Sequence, residues 1–80
     1  MDNVYERLVA LLAQGFGLEA DEIDPERTFG ELEMDSLALV ELGLSAQQEF
    51  GIALADDDIR SSDTIAQAAK TVEAKMAGPA

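Results

Sequence analysis

The chain contains neither cysteine nor histidine among its 80 residues. Without cysteine, no disulfide framework or thiolate metal site can staple so small a domain. Without histidine, the commonest general base, the usual catalytic triads and the commonest zinc ligand are gone. Carboxylates remain, but no nucleophile–base–orienter set can be assembled around them. Intrinsic catalysis is therefore not expected, and no catalytic residue is assigned. Basic residues are also scarce, five against 17 acids, for a formal net charge of −12. Nucleic-acid binding needs a basic footprint that is absent, and anionic membranes are disfavoured for the same reason. With aromatics at 5%, the core must be built from Leu, Val, Ile and Ala. No apolar run approaches the roughly 20 residues that span a bilayer. The first residues lack the basic start and apolar core of a signal peptide. A cytoplasmic monomer is the expectation.

The acids carry two readings. They keep a small domain soluble, and they steer it towards basic protein surfaces. Asp56-Asp57-Asp58 is contiguous rather than alternating, and no glycine or terminal Glu completes a calcium loop. No metal site is assigned.

Asn3 and Glu6 have the spacing of a capping box, followed by Val4, Leu8, Leu11 and Leu12 at helical intervals. Gly15-Phe16-Gly17 ends this helix. From Leu18 to Met34 the chain turns acidic and aperiodic, with Pro25 and Gly30 as breakers. Leu18, Ile23, Phe29, Leu32 and Met34 are spaced along it as anchors, which predicts an ordered wrap. A second helix is expected from about Ser36 to Phe50, closed by Gly51. Residues 56–60 fit a single turn or short helix. Thr64 and Gln67 repeat the capping-box spacing before a last helix whose core stripe is Ile65, Ala68, Ala69, Val72 and Met76. Gly78-Pro79-Ala80 reads as a frayed tail. The expected fold is all-α: a small bundle of three main helices and a short third helix. It forms one domain over residues 1–80, with the ordered part about 3–77.

Ser36 stands where the acidic loop gives way to the second helix. A serine there sits beside unpaired N–H groups at the positive end of the helix dipole, which suits a phosphate. The same position suits an ordinary N-cap. Two apolar stripes follow on this helix. Leu39, Leu42, Ala46 and Phe50 share an arc of about 80° and match a core face. Leu37, Val40 and Leu44 share another arc of about 60°, far round the helix, with Glu41 at its border. This second stripe either packs under the loop as core or meets a partner or tethered group.

Asp35-Ser36-Leu37-Ala38-Leu39-Val40-Glu41-Leu42, then Glu49-Phe50-Gly51-Ile52, resembles the signature helix of the acyl carrier protein family. Asp56-Asp57 followed by Thr64-Ile65 is similar to the family's downstream pattern, and the likeness covers essentially the whole chain. It implies that Ser36 receives 4′-phosphopantetheine from coenzyme A through a magnesium-dependent phosphopantetheinyl transferase. The arm would then carry an acyl group as a thioester, an imported thiol for a chain without cysteine. Asp35 resembles the family residue that assists the transfer, and a capping carboxylate is its other role. Leu37, Val40, Glu41 and Leu44 resemble positions touched by partners, which would be acyl-loading, acyl-transfer and condensing enzymes with basic docking surfaces.

Three departures refine the resemblance. Glu33 stands where the family usually has glycine, so a residue with a Cβ must make that turn. Ala55 replaces a frequent proline. Ala38, Gln47 and Gln48 stand where fatty-acid-synthesis carriers are often acidic. The resemblance thus implies a dedicated carrier of polyketide, antibiotic or other specialised biosynthesis. A fatty-acid-synthesis carrier and a peptidyl or aminoacyl carrier are the alternatives. Asp35 favours acyl over aminoacyl cargo. An unmodified acidic helical adaptor differs from all of these only in leaving Ser36 bare.

Overall fold

The computed structural model describes residues 3–55 and 57–77. Three α-helices carry the architecture: α1 (Val4–Phe16), α2 (Ser36–Phe50) and α3 (Ile65–Ala77). Each helix start is fixed by local side-chain chemistry. Asn3 Oδ1 accepts the Glu6 N–H at 2.8 Å, and Glu6 Oε2 accepts the Asn3 N–H at 3.4 Å. Thr64 and Gln67 make the same reciprocal pair ahead of α3, at 2.8 and 3.1 Å. Two backbone donors are satisfied in this way at the start of α1 and of α3. Gly17 and Gly51 end α1 and α2 in the left-handed region, at φ 71° and 66°, where a Cβ would be strained.

α1 packs against both other helices, and α2 also meets α3. Leu8 and Leu12 of α1, Leu42 of α2 and Ile65 of α3 are fully buried in the shared core. The long loop completes that core with Ile23, Phe29 and Met34. Phe29 alone, fully buried, contributes about 1.5–3 kcal/mol. Backbone bonds tie the loop to the start of α3: Phe29 N–H to Asp63 O at 3.2 Å, and Gly30 N–H to Ser61 O at 2.9 Å. An isolated antiparallel bridge pairs Thr28 with Thr64. The loop is the ordered wrap its spaced anchors imply, with a short 3₁₀ turn at Ala20–Glu22 that the aperiodic sequence did not signal.

Two expectations are corrected. The described part of the 56–60 segment forms a turn and bends, not a short helix. Asp58 Oδ2 accepts the Ala55 N–H at 2.7 Å, and Asp63 Oδ2 accepts the Arg60 N–H at 3.1 Å. Such side-chain bonds replace the helical ladder. Met76 is not core but 45% exposed, because the buried stripe of α3 stops at Val72 and the last turn overhangs the bundle. The expected frayed tail at 78–80 lies outside the described residues, as does Asp56. Among the described residues no helix is long and apolar enough to cross a membrane.

Candidate functional site

The site is set by a tight turn feeding α2. Thr28 and Glu31 brace the turn: Thr28 N–H donates to Glu31 Oε1 at 2.8 Å, and Glu31 N–H to Thr28 Oγ1 at 3.1 Å. Glu33 N–H reaches Gly30 O at 3.0 Å and Met34 N–H reaches Phe29 O at 3.1 Å. Glu33 sits at φ 61°, the only non-glycine residue in the left-handed region among those described. The turn is thus made by a residue with a Cβ, as its sequence required, against a steric cost. Met34 is buried and anchors the turn to the core.

Asp35, not Ser36, is the N-cap of α2. Its backbone is extended, and Oδ1 accepts the Ala38 N–H at 2.9 Å. Asp35 therefore fills the capping role that was one of its two readings. Ser36 is consequently the first helical residue, exposed, with its hydroxyl bonded to none of the described residues. The Ser36 and Leu37 N–H groups likewise find no acceptor among the described residues. A free hydroxyl, two free N–H donors and the positive end of the helix dipole meet at one point. That arrangement fits a phosphodiester on Ser36.

Down α2 the two stripes separate as their periodicity predicts. Leu42 and Ala46 are fully buried and Phe50 nearly so, with Leu39 half-buried beside them. Leu37, Val40 and Leu44 are 66%, 46% and 55% exposed, which rules out the reading of this stripe as core. Glu41 is exposed beside it, with no ion pair among the described residues. The second carboxylate of α2 differs: Glu49 is held by Arg7 at 3.0 Å. Glu41 is therefore the one acid of α2 free to meet a partner.

Beside the strip runs a narrow cleft of about 40 Å³. Leu39, Val40, Gly43 and Gln47 form its α2 side, and Leu54, Ala55 and Ile59 the facing wall. Gln47 Oε1 accepts the Leu54 N–H at 3.2 Å, tying helix to wall. Asp58 adds a second tie, 3.3 Å from Lys75 of α3. The Ala55 N–H and the Lys75 ammonium hold the Asp58 carboxyl below the usual range, outweighing an opposing desolvation. Sequence reading passed over Gly43 and Gln47 as site residues. The signal was there in their spacing, seven and eleven residues after Ser36, which puts all three within about 40° of one line along α2.

The family model described as phosphopantetheine attachment site matches residues 6–72. A relative named acyl carrier protein, from Thermobifida fusca, is 31% identical over 64 residues, covering 79% of this chain and 81% of the relative. A phosphopantetheine-attachment match across most of the chain, an acyl carrier protein relative aligned over about four-fifths of both chains, and a three-helix fold with an exposed serine opening α2 agree: the chain belongs to the acyl carrier protein family, whose cofactor is phosphopantetheine.

Proposed function

We propose that residues 1–80 form a single carrier domain that tethers acyl groups through Ser36 and delivers them to biosynthetic enzymes without catalysing a reaction itself. The observation that carries this reading is the free Ser36 hydroxyl at the first position of α2. When bound, phosphopantetheine supplies the thiol on which an acyl group rides as a thioester. The protein's part is to present one nucleophilic oxygen and to hold a phosphate. The Ser36 and Leu37 N–H groups face the phosphate position, and the helix dipole favours its charge. Asp35 keeps its Oδ1 on the Ala38 N–H, and its exposed carboxylate would help to hold the magnesium ion that accompanies the transferase.

Leu37, Val40 and Leu44 form the surface that partner enzymes bury, and Glu41 steers their basic faces towards it. A surface on which only one α2 carboxylate is free is a weak general attractor for cationic patches. This supports a carrier dedicated to polyketide or other specialised biosynthesis in the cytoplasm over a general fatty-acid carrier. Incubation with coenzyme A, magnesium and a broad-specificity phosphopantetheinyl transferase tests the assignment by intact mass. The wild type gains one phosphopantetheinyl group and Ser36→Ala gains none. Labelling of the Ser36→Ala protein at Ser45, Ser61 or Ser62 overturns it.

A further inference from the structure

We propose that Gln47 makes the α2 cleft selective for short tethered acyl groups that carry an oxygen acceptor beyond the thioester carbonyl. This inference rests on Ser36 being the attachment point. Ser36, Gly43 and Gln47 fall on one line of α2, and Gln47 lies about 16 Å along the helix axis from Ser36. A group leaving Ser36 along this line meets Gly43 and then Gln47, at the end of the cleft remote from the attachment point. That end is met by the acyl group rather than by the phosphate.

The orientation of the Gln47 amide is fixed by what it touches. The Leu54 N–H is a donor, so the atom facing it must be the oxygen, Oε1. Nε2 is thereby turned away from Leu54, and no acceptor meets it among the described residues. It is not sealed off either, since no unsatisfied side-chain nitrogen or oxygen is fully buried. An acyl tail that offers a carbonyl or hydroxyl oxygen beyond its thioester satisfies Nε2, and a purely hydrocarbon tail does not. A glutamate here would accept the same Leu54 N–H yet carry a second oxygen, an acceptor, in place of the Nε2 donor. Gln47 thus sets the polarity of the cleft independently of its role in the fold.

Gly43 supplies room. A Cβ built on it meets nothing within 4 Å, so packing does not require glycine there. Mid-helix glycine is nevertheless unfavourable. Gly43 lines the cleft and lies between Ser36 and Gln47 on one line of α2, so any side chain there would stand in the path between them. The cleft volume, about 40 Å³, is well below the ~150 Å³ that accommodates a benzene ring. Only a few atoms enter, which excludes a long alkyl chain in this conformation.

The test loads Ser36 by transferase from coenzyme A, butanoyl-coenzyme A and 3-oxobutanoyl-coenzyme A. Intact mass confirms each product, and the Gln47 side-chain amide is followed by NMR, assigned by its loss in Gln47→Glu. The Gln47 NH₂ signals should move with the 3-oxobutanoyl group and stay near their free-thiol positions with the butanoyl group. One net hydrogen bond corresponds to a roughly 2- to 10-fold preference for the docked state. In Gln47→Glu the Gly43 and Leu54 backbone responses to 3-oxobutanoyl should fall to the butanoyl level. Gly43→Ala should diminish the 3-oxobutanoyl response while melting no lower than wild type. Equal shifts with both acyl groups, or a full shift already with the free thiol, overturn the proposal while leaving Ser36 attachment intact. A protein whose mass does not rise overturns both.

Discussion

Arg7 grips Glu49 three times: Nε and Nη2 donate to Oε2 at 3.2 and 3.0 Å, and Nη2 also donates to the main-chain oxygen at 2.9 Å. One side chain of α1 thus pairs with a carboxylate of α2 and satisfies a carbonyl in its last turn. The guanidinium also lies 4.6 Å from the Phe50 ring centroid. Both charged side chains are over a third exposed, so the ion pair itself is screened and contributes little. The fork geometry and the stacking matter more, and lysine reproduces neither. Arg7→Lys should therefore destabilise the domain almost as much as Arg7→Ala, by about 1 kcal/mol, or about 4–8 °C in melting temperature. If Arg7→Lys melts like wild type, charge alone accounts for the contact.

Glu33 offers the converse case, a strained residue whose relief should stabilise. A non-glycine residue held in the left-handed region costs about 1–3 kcal/mol. Glycine removes that cost but loses about 0.4–1 kcal/mol through greater freedom in the unfolded chain. Glu33→Gly should therefore gain about 1 kcal/mol, and Glu33→Val, β-branched at the same φ of 61°, should lose stability. Urea denaturation of the two variants checks the sign of each. A Glu33→Gly protein no more stable than wild type means that the turn carries no strain.

What could be read without coordinates was local. Asn3 with Glu6 and Thr64 with Gln67 are each three residues apart, so their caps follow from spacing alone. The two faces of α2 follow from periodicity, whereas the exposure of Leu44 beside the burial of Leu42 is decided by the tertiary packing. The turn at Glu33 was legible only through the family resemblance, which marks its position as one usually held by glycine. What escaped depends on residues distant in sequence. The Thr28–Thr64 bridge, the Arg7–Glu49 contact and the Gln47–Leu54 bond that shapes the cleft have no signature in any short window. Met76 continues the periodic stripe of α3, yet periodicity does not say where the core it faces comes to an end.

Asp58 couples the cleft wall to α3 through charge, and pH should expose this. Its folded carboxyl titrates below the usual range, chiefly because it accepts the Ala55 N–H, with Lys75 adding to the effect. A lowered folded value means that ionised Asp58 stabilises the fold above its unfolded pKa. That stabilisation is lost as pH falls through the folded value. Asp58→Asn keeps an acceptor for the Ala55 N–H but removes the charge facing Lys75. It should melt below wild type at pH 7, and the gap should narrow progressively as pH falls below the ordinary aspartate value of about 3.9 towards the lowered folded value. The other acids titrate in both proteins and cancel in the difference. A gap that does not change as the pH is lowered means that shape, not charge, holds the wall.

Leu42 and Leu44 stand two residues apart on α2 and should respond in opposite ways to the same truncation. Leu42 is fully buried, so Leu42→Ala removes core and should cost about 2–5 kcal/mol. Leu44 is 55% exposed and leaves little behind when trimmed, so Leu44→Ala should stay within about 0.5 kcal/mol of wild type. In complex with a cognate basic enzyme the order reverses. Leu44→Ala should speed dissociation by removing buried contact area. Glu41→Lys, beside it, should slow association and flatten its salt dependence while leaving the melting temperature near wild type. Leu42→Ala, measured per folded molecule, should bind normally. Melting curves and stopped-flow binding on the three variants separate these effects. If Leu44→Ala loses as much stability as Leu42→Ala and binds per folded molecule like wild type, Leu44 belongs to the core and the docking strip is wrong.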